Sequence, residues 1–196
     1  MEGTNPVNKK LAAALSGGAV LVLALSGCGG DDSSEKLNSW AKEVCDEVQP
    51  QAKKIEAANT SIQKQTSDNS TPADVQKTDS QAFQDMSDAY KAIGAAVNKA
   101  GAPDVEDGKK KQADAVKELN GISTSYADLK KQVDALDTKD QGKFADGLKD
   151  IATELDKLGQ SGNVALNKLQ EGEVGQAMTK QESCKSASGS PSATNG

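Results

Sequence analysis

The chain contains no histidine and no arginine, although it has 196 residues and 27% of them are charged. Without imidazole there can be no Ser-His-Asp or Cys-His catalytic arrangement, no Glu-x-x-His di-iron motif and no histidine-based zinc site. These absences exclude most hydrolases and most metalloenzymes. The remaining carboxylates and lysines have no sequence context that would shift the pKa of an acid–base pair, so we expect no enzyme activity, no cofactor and no metal site.

Basic charge is also scarce relative to acidic charge, because 23 lysines stand against 29 acidic residues and give a net charge of −6. The lysines are interleaved with acidic residues and form no clustered basic face. Nucleic-acid binding needs such a face to meet the phosphate backbone, so we expect no nucleic-acid partner.

Large apolar residues are scarce as well, and aromatic residues make up only 3% of the chain. Leu, Ile, Val and Phe account for about 15% of residues 28–196, below the roughly 20% under which disorder becomes an alternative. The few apolar residues nevertheless recur at the three- and four-residue spacing of helices. We therefore predict a folded helical domain with a thin, alanine-rich core.

The most specific motif lies near the N-terminus. Lys9 and Lys10 precede an apolar stretch over residues 11–25, which is shorter than the roughly 20 residues of a membrane-spanning helix. The stretch ends in Leu25-Ser26-Gly27-Cys28. This run resembles the lipobox of bacterial lipoprotein signal peptides, whose cysteine thiol receives a diacylglyceryl group before cleavage. The alternative is an ordinary secretory signal that ends near a cysteine, and either signal would export the domain.

The lipobox resemblance implies a division of the chain into four parts. Residues 1–27 would be the signal peptide, and residues 28–34 a flexible tether that carries the lipid on Cys28. Residues 35–185 would form the helical domain, and the low-complexity residues 186–196 a disordered tail. The protein would then sit on the outer face of the bacterial cell membrane.

The first predicted helix covers about residues 35–66. Its apolar positions step by alternating fours and threes, as in a coiled-coil seam. Pro50 lies inside this pattern, and proline lacks the amide hydrogen and clashes with the preceding turn. We therefore expect a kink or a split near Val48.

Capping residues mark the next helices. Thr71 is a candidate N-cap because Pro72 follows it at the first helical position, and Asp137 or Thr138 is a candidate cap for a later helix. The further predicted elements are a second helix over about residues 72–100, a third with its stripe from Val116 to Leu136, a fourth with its stripe from Phe144 to Leu169, and a short amphipathic piece from Val174 to Cys184. Long amphipathic helices with short connections predict an all-α, elongated, antiparallel four-helix up-down bundle with a short C-terminal extension.

Cys45 and Cys184 are the two cysteines left once Cys28 is assigned to lipid. An even pair in an exported chain favours a disulfide. An even number of helices also returns the chain to the end where it began, which brings Cys184 near the first third of helix one. We therefore predict a Cys45–Cys184 bond, with two free thiols as the alternative.

A polar notch at mid-height is a further hypothesis. Gln51 falls on the seam of the first helix beside Pro50, and Gly121 and Ser123 fall at a similar level of the third. These residues would leave room for a small ligand or, alternatively, form a hydrated packing defect. Asp146, Asp150 and Glu154 share one helix face but are surrounded by lysines, which favours a solvated stripe over a metal site.

The lipobox, the Gly/Asp/Ser tether, the lysine- and alanine-rich helices and the single cysteine pair together resemble the small secreted helical lipoproteins of actinomycetes. The resemblance implies an envelope-anchored protein without an assigned activity. Our first hypothesis is a monomeric, non-enzymatic module that binds an envelope protein or acts as a spacer. The alternative is a carrier of a small or lipidic ligand, which a continuous apolar pocket of a few hundred Å³ would favour.

Overall fold

The computed structural model describes residues 30–65, 70–161 and 164–187, and every regular element within these ranges is an α-helix. The predicted all-α class is therefore confirmed. The predicted signal peptide and Cys28 lie outside the described residues. The helices are α1 Gly30–Gln65, α2 Pro72–Ala100, α3 Gly108–Asp134, α4 Gln141–Ser161, α5 Val164–Leu169, α6 Glu173–Thr179 and α7 Glu182–Ala187.

Helix α1 departs from the sequence prediction at its start and at its middle. It begins at Gly30, inside the predicted tether, and Asp32 in its first turn is favourable beside the positive end of the helix dipole. It also continues through Pro50 without a break, so the predicted split is wrong. The helix tolerates the proline because residue 50 is exposed, while residues on both sides of it pack in the core.

The other helix ends follow from local capping. Thr71 caps α2 as predicted, since its Oγ1 accepts a hydrogen bond from the Asp74 amide at 3.2 Å. The predicted cap of the fourth helix is wrong: Asp140, not Asp137 or Thr138, accepts from the Lys143 amide at 3.1 Å.

The predicted fourth helix corresponds to α4 and α5, which lie on either side of residues 162 and 163, and these two residues lie outside the described ranges. The predicted C-terminal piece is divided into α6 and α7. Residues 186 and 187 of the predicted tail belong to α7, and residues 188–196 lie outside the described residues.

Helix α2 lies between α1 and α3 and packs against both of them. The side chain of Trp40, near the start of α1, donates to the Gly101 carbonyl at the end of α2 at 2.8 Å, so these two helices are antiparallel. We call the end that contains Trp40 the proximal end and the opposite end, with the connection between α3 and α4, the distal end.

The core consists of two apolar clusters, one toward each end. The proximal cluster contains Leu37, Trp40, Ala41, Val44, Val97, Ala115, Leu119, Leu169, Val174 and Ala177. The distal cluster contains Ala58, Ala82, Phe83, Met86, Leu129, Val133 and Ile151. Among the described side chains, every apolar residue of the predicted stripes is buried or half-buried, which confirms the helical periodicity.

Polar contacts fix the register of α2 against α3. At their middle, Ser87 Oγ donates to the Ser123 carbonyl and Ser123 Oγ donates to the Ser87 carbonyl, each at 2.8 Å. At the distal end, the Gln76 amide donates to the Val133 carbonyl at 2.9 Å. At the proximal end, the Gln112 amide donates to the Val97 and Asn98 carbonyls at 3.3 Å. Each glutamine thus satisfies carbonyls at the C-terminal end of the facing helix.

The C-terminal helices α6 and α7 return to the start of α1. The Sγ atoms of Cys45 in α1 and Cys184 in α7 lie at bonding distance, 2.09 Å apart. Beside them, Ser183 Oγ donates to the Asp46 carboxylate. The structure therefore brings together the two cysteines that the sequence analysis pairs.

Removing the cross-link is expected to destabilise the domain strongly. The two cysteines are 139 residues apart, and the chain-entropy model assigns roughly 5 kcal/mol to a loop of that length. The Cys45→Ser/Cys184→Ser double variant should therefore unfold at a much lower urea concentration than the oxidised protein. Reduction should have no effect on the double variant, and an unchanged unfolding midpoint in the wild type after reduction would contradict the bond.

Two glycines of α3 provide a matched test of the packing. A Cβ on Gly108 would lie 2.1 Å from the Pro103 carbonyl oxygen, whereas a Cβ on Gly121 would meet no atom within 4 Å. We expect Gly108→Ala to cost about 1–3 kcal/mol through overpacking. Gly121→Ala should instead stabilise by about 0.5–1 kcal/mol through helix propensity. Urea unfolding measures both, and equal effects of the two variants would contradict the close approach at Gly108.

Candidate functional site

The residues of the predicted notch do not line a common cavity. Gly121 is exposed and faces open space. Ser123 is buried and fully engaged with Ser87. The Oε1 atom of Gln51 is buried and has no hydrogen-bond partner among the described residues. Along their helices, Gln51, Ser87 and Ser123 each fall between residues of the proximal and distal clusters, so they form a polar level in the core.

The predicted carboxylate stripe lies on the surface. Asp146, Asp150 and Glu154 are all exposed, and Glu154 accepts a hydrogen bond from the Gln132 amide at 2.6 Å. In the part of the chain that the structure describes, no group of three or more His, Cys, Asp or Glu side chains is arranged to hold a metal ion.

The aromatic side chains of helices α2 to α4 belong to the core and not to a binding surface. Phe83 and Phe144 are 2% and 4% exposed. Tyr90 and Tyr126 are half-buried and stacked, with ring centroids 5.6 Å apart.

A cavity of about 200 Å³ lies at the distal end between α1, α2 and α4. Its walls are almost wholly apolar. They are formed by Ile62 and Gln65 of α1, Val75, Asp79 and Phe83 of α2, and Leu148, Ile151, Ala152 and Leu155 of α4. Ala152 is exposed, which indicates that the cavity opens to solvent beside α4.

Among the described residues that line this cavity, Asp79 is the only one with an ionisable side chain. Only 9% of its surface is exposed. No side chain or backbone group among the described residues donates a hydrogen bond to its carboxylate or forms an ion pair with it. Burial raises the pKa of Asp79 from 3.8 to about 6, because the ionised form loses hydration that no neighbouring group replaces. The site therefore presents an uncompensated negative charge within apolar walls.

The sequence analysis missed Asp79, although a signal was present. The stripe of the second helix passes from Val75 to Ala82 and Phe83, and Asp79 occupies the inward position between them. A carboxylate at an inward position, with no lysine on the same helix face to pair with it, was the feature to notice.

A second and larger depression lies at the proximal end. This open cleft of about 1070 Å³ is formed by the first turns of α1, by the connection between α2 and α3, and by the start of α3. Trp40 lies at its base, and its rim carries both acids and lysines, including Glu35, Asp104 and Lys110. Among the described residues that line it, the cleft has no buried polar group without a partner, so it makes a weaker case for a specific ligand than the Asp79 cavity does.

Comparisons with protein-family models, with curated proteins and with solved structures find no match to the chain. Within residues 30–65, 70–161 and 164–187, no helix is both long enough and apolar enough to cross a membrane. Function is therefore inferred from the residues of the site itself.

Neutralising Asp79 is expected to stabilise the domain at neutral pH. The pKa of Asp79 is about 6 in the folded protein and 3.8 ordinarily. The protonated carboxyl is compatible with burial, so its contribution to the free energy of unfolding is fully present below pH 4 and is lost as the pH rises through 6. The Asp79→Asn variant keeps the shape of the side chain without its charge. Its unfolding free energy should match that of the wild type near pH 4 and exceed it by about 3 kcal/mol at pH 7.5.

Urea unfolding at both pH values measures this difference, with Asp88→Asn as the control. Asp88 is exposed on the same helix and accepts from Gln84 at 3.1 Å. A difference between wild type and Asp79→Asn that does not change with pH would show that Asp79 is solvated or paired.

Proposed function

We propose that this protein is a non-enzymatic lipoprotein of the bacterial envelope, anchored through a lipid on Cys28, whose helical domain carries a small ligand in the Asp79 cavity. The observation that carries the proposal is the Asp79 side chain, which is nine-tenths buried, has no partner among the described residues and belongs to the lining of an apolar cavity. Clefts with mostly apolar walls and one well-placed polar group are typical of ligand sites.

The energetic cost of Asp79 supports a ligand-binding role over a purely structural one. A buried charge without a partner opposes folding, and an apolar residue of similar size at the same position would not. A spacer needs only a stable rod and gains nothing from this carboxylate. In a carrier, in contrast, this carboxylate can recognise the ligand. A ligand that binds only the folded state also raises the free energy of unfolding, which offsets the destabilisation by the buried charge.

The proposed lipid on Cys28 accounts for attachment to the membrane. Two or more acyl chains on one residue give stable membrane attachment, so the lipid on Cys28 is sufficient to hold the domain on the outer face of the cell membrane. Because no other element is needed for localisation, the helices are available for binding. We propose that the domain acts there as a monomer.

We further infer that α4 to α7 together form the fourth rod of an antiparallel up-down bundle. Contacts along the chain support this arrangement. Glu154 of α4 contacts Gln132 near the end of α3, and the Leu166 amide of α5 lies 3.4 Å from the Glu118 carboxylate nearer its start. Helices α6 and α7 then reach α1 at the proximal end. The path from α4 to α7 thus runs opposite to α3.

A protein-interaction module is the second candidate function. The proximal cleft at Trp40 favours it, because this cleft is wide, open and bordered by charges of both signs. Such a rim suits a protein partner better than a small molecule. The cleft lies at the end of the domain nearest the proposed anchor, where an envelope protein would meet it.

Intact-mass spectrometry under native conditions tests the proposal on protein purified from the membranes of its host. We expect a chain that starts at Cys28 and carries covalent lipid, together with a non-covalent small molecule at stoichiometric occupancy. The Cys28→Ser variant should lose the lipid and leave the membrane fraction. Ala152→Trp, which places a large side chain at the mouth of the cavity, should lose the small molecule and keep the lipid.

A lipid-free wild type, or equal amounts of wild type and Cys28→Ser in the membrane fraction, would refute the anchor. A wild type that carries no small molecule but crosslinks in cells to one envelope protein would replace the carrier with the interaction module.

A further inference from the structure

We propose that the ligand of the Asp79 cavity is a small organic cation with a single ammonium group and an apolar body about the size of one six-membered ring. This inference rests on the proposed carrier function and specifies its ligand class. It follows from the charge, the volume and the arrangement of the cavity.

The charge of the cavity requires a cation from outside. Asp79 is nine-tenths buried, and the described residues of the lining include no lysine. Gln65 is the other polar residue among them, and its amide is neutral. An anionic ligand would place two like charges in an apolar space, and a purely apolar ligand would bury the carboxylate further without pairing it. An ammonium group instead supplies both the opposite charge and the hydrogen bonds that the carboxylate lacks.

The volume of the cavity limits the body of the ligand. An engineered apolar cavity of about 150 Å³ is known to bind benzene. The present cavity of about 200 Å³ therefore has room for one ring and a small charged group, but not for an acyl chain of membrane length. This size disfavours a lipidic cargo.

The arrangement of the walls orients such a ligand. Asp79 lies on α2, and the side chains of Leu148, Ile151 and Leu155 come from α4 on the opposite side. The ammonium group would contact the α2 carboxylate while the ring packs against the α4 side chains and Phe83. A second charged group on the ligand would find no charged partner among the described lining residues, so a monoamine fits better than a diamine.

The pKa of Asp79 is consistent with this ligand. A value of about 6 leaves the carboxylate ionised at pH 7.5. A cation then meets a negative charge from which burial has removed most of the hydration. The free-energy cost of desolvating the carboxylate is part of folding, so it does not reduce the free energy of ligand binding a second time.

Isothermal titration calorimetry at pH 7.5 tests the inference on the mature lipoprotein in a non-ionic detergent. The three probes share one ring and differ in charge: benzylammonium, benzyl alcohol and benzoate. We expect the wild type to bind benzylammonium at least tenfold more tightly than benzyl alcohol and to show no binding of benzoate. Titration into detergent alone gives the blank.

Variants locate the interaction. Asp79→Asn should reduce the preference for benzylammonium over benzyl alcohol to less than twofold, whereas Asp88→Asn should leave it unchanged. Ala152→Trp should weaken both probes together, because it obstructs the cavity without altering its charge. Circular dichroism confirms that each variant is folded before it is titrated.

The outcomes separate the ligand class from the carrier function. If benzyl alcohol binds as tightly as benzylammonium and Ala152→Trp weakens both, the cavity binds ligands but the inference about charge is wrong. The same conclusion follows if benzylammonium binds equally to wild type and Asp79→Asn. If none of the probes binds the wild type above the blank, both the ligand class and the cavity as a binding site are refuted.

Discussion

The reciprocal bonds between Ser87 and Ser123 set the register on which the other packing depends. Each hydroxyl donates to the carbonyl of the other residue in the buried interface of α2 and α3. A slip of one turn would take from both buried hydroxyls the carbonyls to which they donate, at a cost of about 1–3 kcal/mol for each hydroxyl left unpaired. With this register fixed, Gln76 and Gln112 reach the C-terminal carbonyls of the facing helices. Helix α2 also packs against α1 on its other side. The positions of the α1 and α2 residues that line the distal cavity therefore depend on the same interface.

Stability and function place opposite demands on this thin-cored domain. The long-range cross-link between Cys45 and Cys184 and the two apolar clusters favour folding. Asp79 opposes it, because a raised folded-state pKa means that the native state resists ionisation of this group. The cross-link joins α7 to the proximal half of α1, and the Asp79 carboxylate lies on α2 near the distal end. A domain that concentrates its covalent reinforcement at one end can tolerate a destabilising group at the other, where a bound ligand would compensate for it.

The sequence predicted what depends on periodicity and missed what depends on single side chains. Helical spacing identified the apolar stripes, and Thr71 followed by Pro72 marked the start of α2, because both signals are local. The split predicted as one of two outcomes at Pro50 is wrong because tertiary contacts on both sides of the proline outweigh the missing hydrogen bond, and α1 stays unbroken. The cap at Asp140 was missed because several acids and hydroxyls near the start of α4 are chemically equivalent in sequence. Asp79 was missed because whether a carboxylate is buried and unpaired depends on which helix covers it, and that information comes only from the packing of α4.

The length of α1 determines where cargo would be received and released. Between Gly30, two residues after the proposed lipidated cysteine, and Ile62 at the cavity, the helix rises about 48 Å at 1.5 Å per residue. An upright domain would therefore hold the mouth of the cavity well above the lipid headgroups. At that height a small cation would be exchanged with the fluid and polymers of the cell wall space and not with the bilayer. Shortening α1 by whole turns would bring the mouth of the cavity closer to the membrane and leave the residues that line the cavity unchanged. The height of the cavity above the membrane and its ligand specificity are therefore set by different residues.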